Sequence, residues 1–119
     1  TAATDKAVPL SLKIDIGQSF IPTTVEKVYE QVFADLQEAE KYMQVEQQTG
    51  AYLYRFSKKA LKAFQARVYL YHQDWKQAQE TAESLLAACP LEDLTTTEAQ
   101  PWTYTSKEAI LALEYQRKI

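Results

Sequence analysis

The sequence predicts an all-α protein, a helical hairpin or bundle with an irregular N-terminal arm and long loops. Three observations carry that prediction. Apolar residues recur at 3.6-residue spacing through 23–43 and again through 57–91. Each of these stretches opens on a Ser, Thr or Asp suited to accept from orphan backbone N–H groups. Alanines crowd the second stretch at Ala60, Ala63, Ala66, Ala78 and Ala82, small enough to let two helices touch, and Pro90 follows as a stop.

Residues 1–22 read as an extended arm. Leu10, Leu12, Ile14 and Ile16 alternate with polar residues, a period of two that suggests a short extended segment. Two prolines and a glycine surround it, which favours an arm docked on the body over a strand of a large sheet. Thr23 with Glu26 is spaced as a capping box, and Val25, Val28, Tyr29, Val32, Leu36, Ala39 and Met43 then form one stripe of a helix over 23–43. A polar and then aromatic loop follows over 44–54.

Ser57 caps the next predicted helix, which runs to His72. Leu61, Phe64, Val68 and Tyr71 make one apolar face, and Ala60, Ala63, Ala66 and Leu70 another, so this helix is expected to be buried between neighbours. Asp74 with Gln77 opens a further helix from Trp75 to about Ala88, expected to bury Ala78, Ala82, Leu85 and Leu86. Residues 92–119 are expected to be loop and C-terminal segment. Thr105 with Glu108 signals a short helical start there, and 109–115 suit either helix or strand.

Composition excludes several function classes. The chain has 119 residues, 46% hydrophobic and 24% charged, which suits one small soluble domain. A net charge of −3 without a basic stripe argues against nucleic acid as a partner. Two glycines, Gly17 and Gly50, cannot build a phosphate-cradling loop. One cysteine and one histidine leave no internal disulfide and no metal cage, so no metal and no cofactor are expected. The chain opens at Thr1 and stops inside a patterned segment at Ile119, which leads us to expect a piece of a longer protein.

The hairpin over 57–91 resembles a tetratricopeptide unit: Ala66 and Tyr69 stand at the small and aromatic positions of a first helix, with Ala78, Ala82 and Pro90 following at the pattern's intervals. One such unit cannot bury its own faces and needs neighbours. The chain as a whole resembles the SusD/RagB family. Thr24-Val25, Val28-Tyr29 and Asp35-Leu36-Gln37-Glu38-Ala39 are similar to that family's first helix, and Arg55-Phe56-Ser57-Lys58-Lys59-Ala60 to its entry into the second. Ala66-Arg67-Val68-Tyr69-Leu70-Tyr71 with Asp74-Trp75 and Ala78, and Thr105-Ser106-Lys107-Glu108-Ala109-Ile110, continue the likeness in order. Val8-Pro9-Leu10 suits the arm that precedes it. Pro90-Leu91, and Leu111 where an aromatic is common, depart from the pattern.

The resemblance implies a lipid-anchored surface protein of the outer membrane. It implies binding of a glycan or other nutrient, handed on to a SusC-like TonB-dependent transporter. It also implies that these helices are scaffold and that ligand contacts lie in sequence elsewhere, so no ligand-binding residue transfers. The alternative is a tetratricopeptide-like adaptor that binds a peptide in a helical groove.

Residue by residue, Arg67 is expected to be buried and paired, with Asp35 as partner, because an unpaired buried charge is costly. Tyr69 and Trp75 are expected to be structural. Tyr52, Tyr54 and Phe56 are weighed as rings for stacking on sugars against rings packed on protein, and packing is favoured for Tyr54 and Phe56. Trp102 and Tyr104 are weighed the same way, with packing again ahead; because they lie in a loop they are the candidates named for ligand contact, which is otherwise unassigned. Asp35, Glu38 and Glu40 lack an acid–base partner or nucleophile, so no catalytic residue and no enzyme activity are expected.

Overall fold

The structure, a computed structural model, describes residues 1–96, 103 and 105–113. The predicted all-α class holds: the elements are α1 (Val25–Tyr42), a 3-10 turn (Gly50–Tyr52), α2 (Lys58–His72) and α3 (Trp75–Ala88), and among the described residues there is one isolated β-bridge and no strand. Two compact units divide the chain, Thr1–Lys41 and Tyr42–Ile119.

In the first unit the arm folds back on the start of α1. Lys6 and Thr24 form an antiparallel bridge; the Ala7 N–H donates to the Thr23 carbonyl at 2.8 Å and the Thr23 N–H to the Val8 carbonyl at 3.3 Å. The first N–H groups of a helix lack an intrahelical partner. Here the arm supplies two of them: Val25 donates to the Asp5 carbonyl at 3.0 Å and Glu26 to the Ala2 carbonyl at 2.9 Å. Thr24 takes the third, its Oγ1 accepting from the Lys27 N–H at 3.3 Å. The cap is therefore Thr24 rather than the expected Thr23, whose backbone is committed to the arm. Pairing also falls at 5–8, upstream of the alternating residues 10–16. Those residues have no strand partner for their backbone groups among the described residues, and Leu12, Ile14 and Ile16 face water.

The stripe of α1 is as predicted: Leu36 is buried, and Val25, Val28, Tyr29, Val32, Ala39 and the following Met43 are half-buried. Tyr29 and Phe33, one turn apart, stack at 6.4 Å between centroids.

The second unit is built on the α2–α3 hairpin. Its start repeats the device of α1. The Lys58 and Lys59 N–H groups donate to the Val45 and Glu46 carbonyls at 2.9 and 3.2 Å, and the fully buried Ser57 accepts from the Ala60 N–H at 3.3 Å. Lys59 Nζ donates to the Ala88 carbonyl at 2.8 Å, which places a cation on the C-terminal end of α3 and ties it to the start of α2. The turn between the helices is closed by bonds from the Gln73 N–H to the Leu70 carbonyl and from the Asp74 N–H to the Tyr69 carbonyl, with Gln73 left-handed at φ 67°. Asp74 then caps α3, accepting from the Gln77 N–H at 3.2 Å.

Burial in the hairpin is one-sided. Ala60, Leu61, Val68 and Ala78 are buried, whereas Phe64, Leu70, Tyr71 and Leu86 are exposed. The expectation of a helix buried all round, and of a buried Leu86, is thus corrected. Two helices close one seam between them, and among the described residues the outer apolar positions Phe64, Leu70, Tyr71 and Leu86 stay exposed.

Residues 105–108 form a turn and 109–113 no regular element, so neither the short helix nor the strand is found over the described part of 105–115. The Glu108 N–H donates to the Ser106 hydroxyl at 3.2 Å, which itself donates to Glu92 Oε2 at 2.7 Å. A serine that bonds its own backbone two residues on offers an alternative to a helical turn. Further on, the Ala112 N–H donates to the Leu53 carbonyl at 3.2 Å and holds the C-terminal segment on the second unit.

Candidate functional site

The most chemically distinctive surface of the second unit lies just before α2. Gly50 adopts φ 55°, a left-handed value open to glycine at low cost, and starts the 3-10 turn. The turn is pinned from three directions. Leu53 is buried, its N–H donates to the Gly50 carbonyl at 3.2 Å, and its carbonyl accepts from Ala112. Two residues on, Arg55 donates its backbone N–H to the Tyr52 carbonyl at 2.9 Å. With Leu53 inward, Tyr52, Tyr54 and Phe56 point outward and are 55%, 52% and 49% exposed. The Arg55 guanidinium carbon stands 5.0 Å from the Tyr52 ring centre and 5.5 Å from that of Tyr54, and its Nε donates to the Tyr54 hydroxyl at 3.2 Å. Phe56 lines an open hollow of about 390 Å³ with Phe64, Arg67 and Glu108. Tyr54 and Phe56, for which packing on this fragment or on the rest of a longer protein is the favoured expectation, stay about half exposed among the described residues. Arg55 was not singled out from the sequence; the signal was its place between two aromatic residues, Tyr54-Arg55-Phe56.

A second hollow of about 410 Å³ opens along the hairpin and is lined by Ala66, Leu70, Trp75, Ala78 and Ala82 with Arg67 and Gln79. The alanines leave room, and Trp75, 60% exposed, stands at its end. Tyr69 is half-buried and engaged with neighbours.

Arg67 is exposed, not buried, which removes the reason for demanding a partner: a solvated guanidinium has no desolvation cost to offset. Asp35 is exposed on α1, where it accepts from Gln31 Nε2 at 2.7 Å. Trp102 and Tyr104 lie outside the described residues. Asp93 is held below the usual carboxylate range, because the Thr95 hydroxyl and backbone N–H both donate to it, at 2.6 and 2.9 Å. That is a turn on the surface and no acid–base pair. No group of metal-ligating side chains forms among the described residues.

The arm, α1 and most of α2 are also where a family likeness is found. Residues 7–70, more than half of the chain, match the profile of a SusD-like family described as starch-binding and associating with the outer membrane. No curated protein matches the chain. The matched span holds three of the four sequence phrases in whole or in part, and the helices it covers are those observed. On that match the chain belongs to the SusD-like family of starch-binding proteins associated with the outer membrane.

Proposed function

We propose that this chain is the helical scaffold of a SusD-like surface protein that binds glycans and works with a SusC-like TonB-dependent transporter. The family match carries the glycan and the outer membrane. The transporter partnership is supported by the one-sided burial of the hairpin. Leu70, Tyr71, Trp75 and Leu86 stay exposed along helices whose other side is closed, and an exposed apolar face of this kind marks a protein contact. A lipid anchor on a cysteine upstream of Thr1 would hold the protein at the outer face. On this reading the chain is a single piece of a larger SusD-like protein, with an arm over 1–22, tetratricopeptide-like helices over 23–91 and a loop with C-terminal segment over 92–119. It binds and does not catalyse.

The test is co-purification from the native host. A tagged protein solubilised in mild detergent is expected to bring down a TonB-dependent transporter in near-equal amount, and mass spectrometry is expected to find an acylated N-terminal cysteine. Recovery of the protein alone, unacylated, would remove both the partner and the anchor. The hollow along Ala66, Leu70, Trp75, Ala78 and Ala82 is also the one observation that favours a peptide-binding adaptor. That reading requires further 34-residue repeats in the longer protein, and their absence there would dismiss it.

A further inference from the structure

We infer that Tyr52, Tyr54 and Arg55 form a carbohydrate-stacking platform, so that this chain carries a sugar-binding surface of its own. The ligand class is a neutral oligosaccharide with a flat pyranose face, and the inference rests on the glycan-binding reading above.

Half-exposed tyrosines gain little for the fold, yet these two are presented with care. The backbone between them is held by a buried Leu53, by two turn bonds and by Ala112, so the rings are displayed from a fixed base. The Arg55 guanidinium lies over both rings, at 5.0 and 5.5 Å from their centres, so it joins them in one cluster and covers one face of each. The Arg55 Nε bond to the Tyr54 hydroxyl limits how that ring turns. A tyrosine has only two χ angles and so little entropy to lose on contact.

The chemistry on offer is that of a sugar. A pyranose presents a face of C–H groups and a rim of hydroxyls. The ring surface of Tyr52 and Tyr54 that Arg55 leaves exposed meets the first, and phenol and guanidinium groups meet the second. Among the described residues no carboxylate pairs with Arg55; its guanidinium is engaged by the two rings and by the Tyr54 hydroxyl, which leaves its other N–H groups as donors. Phe56, next in sequence to Arg55, lines a separate open hollow of about 390 Å³ in which Arg67 supplies donors beside Phe64, and in which Glu108 uses one oxygen to accept from the Glu92 N–H at 2.6 Å. Flat apolar surface next to paired donors and acceptors is what an oligosaccharide needs and what a purely apolar partner would leave unsatisfied.

The experiment is native gel electrophoresis of the purified chain through gels cast with soluble starch, xylan, mannan or mixed-linkage β-glucan. Wild type is expected to be retarded by at least one of them. Tyr52→Ala with Tyr54→Ala is expected to weaken that retardation about tenfold in polysaccharide concentration, the scale of losing a central aromatic contact. Tyr52→Phe with Tyr54→Phe, which keeps the rings, is expected to retain most of it. Circular dichroism of each variant checks that the helices are intact. If wild type and the double alanine variant are retarded alike, the platform is overturned while glycan binding by another surface stands. If the phenylalanine variant is lost as fully as the alanine variant, stacking is overturned as its basis. If no polysaccharide retards wild type, glycan binding by this chain fails and the platform with it.

Discussion

Gln73 sits at φ 67° at the turn between α2 and α3, where a Cβ is crowded by the following carbonyl. Gln73→Gly removes that crowding but loosens the unfolded chain, so a net gain of up to about 1 kcal/mol is expected in urea unfolding. Ser57 is the opposite case. It is fully buried and its hydroxyl accepts from Ala60, so Ser57→Ala is expected to cost about 1–2 kcal/mol by the same measurement. Arg67→Ala is expected to cost less than about 1 kcal/mol because the side chain is exposed. A loss of about 3 kcal/mol or more would instead mean that Arg67 is held in a buried pair with Asp35. Asp93 has its carboxyl lowered in the folded state by two bonds from Thr95, so the turn it stabilises is present above the ordinary value of 3.8 and lost as pH falls below it. The Thr95 amide resonance is expected to hold steady from neutral pH down to about that value and to shift below it. These assignments differ in legibility. Ser57 and Asp74 could be read as caps from residue type and position alone. The exposure of Arg67 could not, since a helix with apolar residues on two faces has the same sequence whether or not a neighbour covers the second face.

Both long starts of the fold, those of α1 and α2, use the chain upstream to satisfy helix N–H groups. The Asp5 and Ala2 carbonyls serve α1, and the Val45 and Glu46 carbonyls serve α2. At this scale the arm is a structural cap, and deletion of residues 1–8 is expected to fray α1 at its first turn, with faster amide exchange at Val25 and Glu26 and little change in α3. The extents of α2 and α3 were legible to within a residue because cap, period and Pro90 agree. The site of arm pairing was not. An alternating pattern at 10–16 gives a period but does not name a partner strand, and the Ala2, Asp5 and Val8 carbonyls upstream of it are taken up instead.

For the whole molecule, the open side of the hairpin matters more than the closed one. Leu70 and Trp75 are exposed, so Leu70→Ser with Trp75→Ser is expected to change the stability of the chain by about 0.5 kcal/mol or less, yet to reduce the transporter recovered by co-purification. Unchanged recovery would place the contact on another face. The sequence by itself determined the all-α class, the bounds of the hairpin and the family, because caps, helical periodicity and family phrases are local properties of the chain. Only the tertiary structure decided which apolar residues are core and which are surface. Leu61 and Phe64 are both apolar and share a helix, yet one is buried and the other exposed. The same holds for Tyr52, Tyr54 and Arg55, whose convergence on one surface depends on a buried Leu53 and a backbone bond from Ala112, nearly sixty residues away.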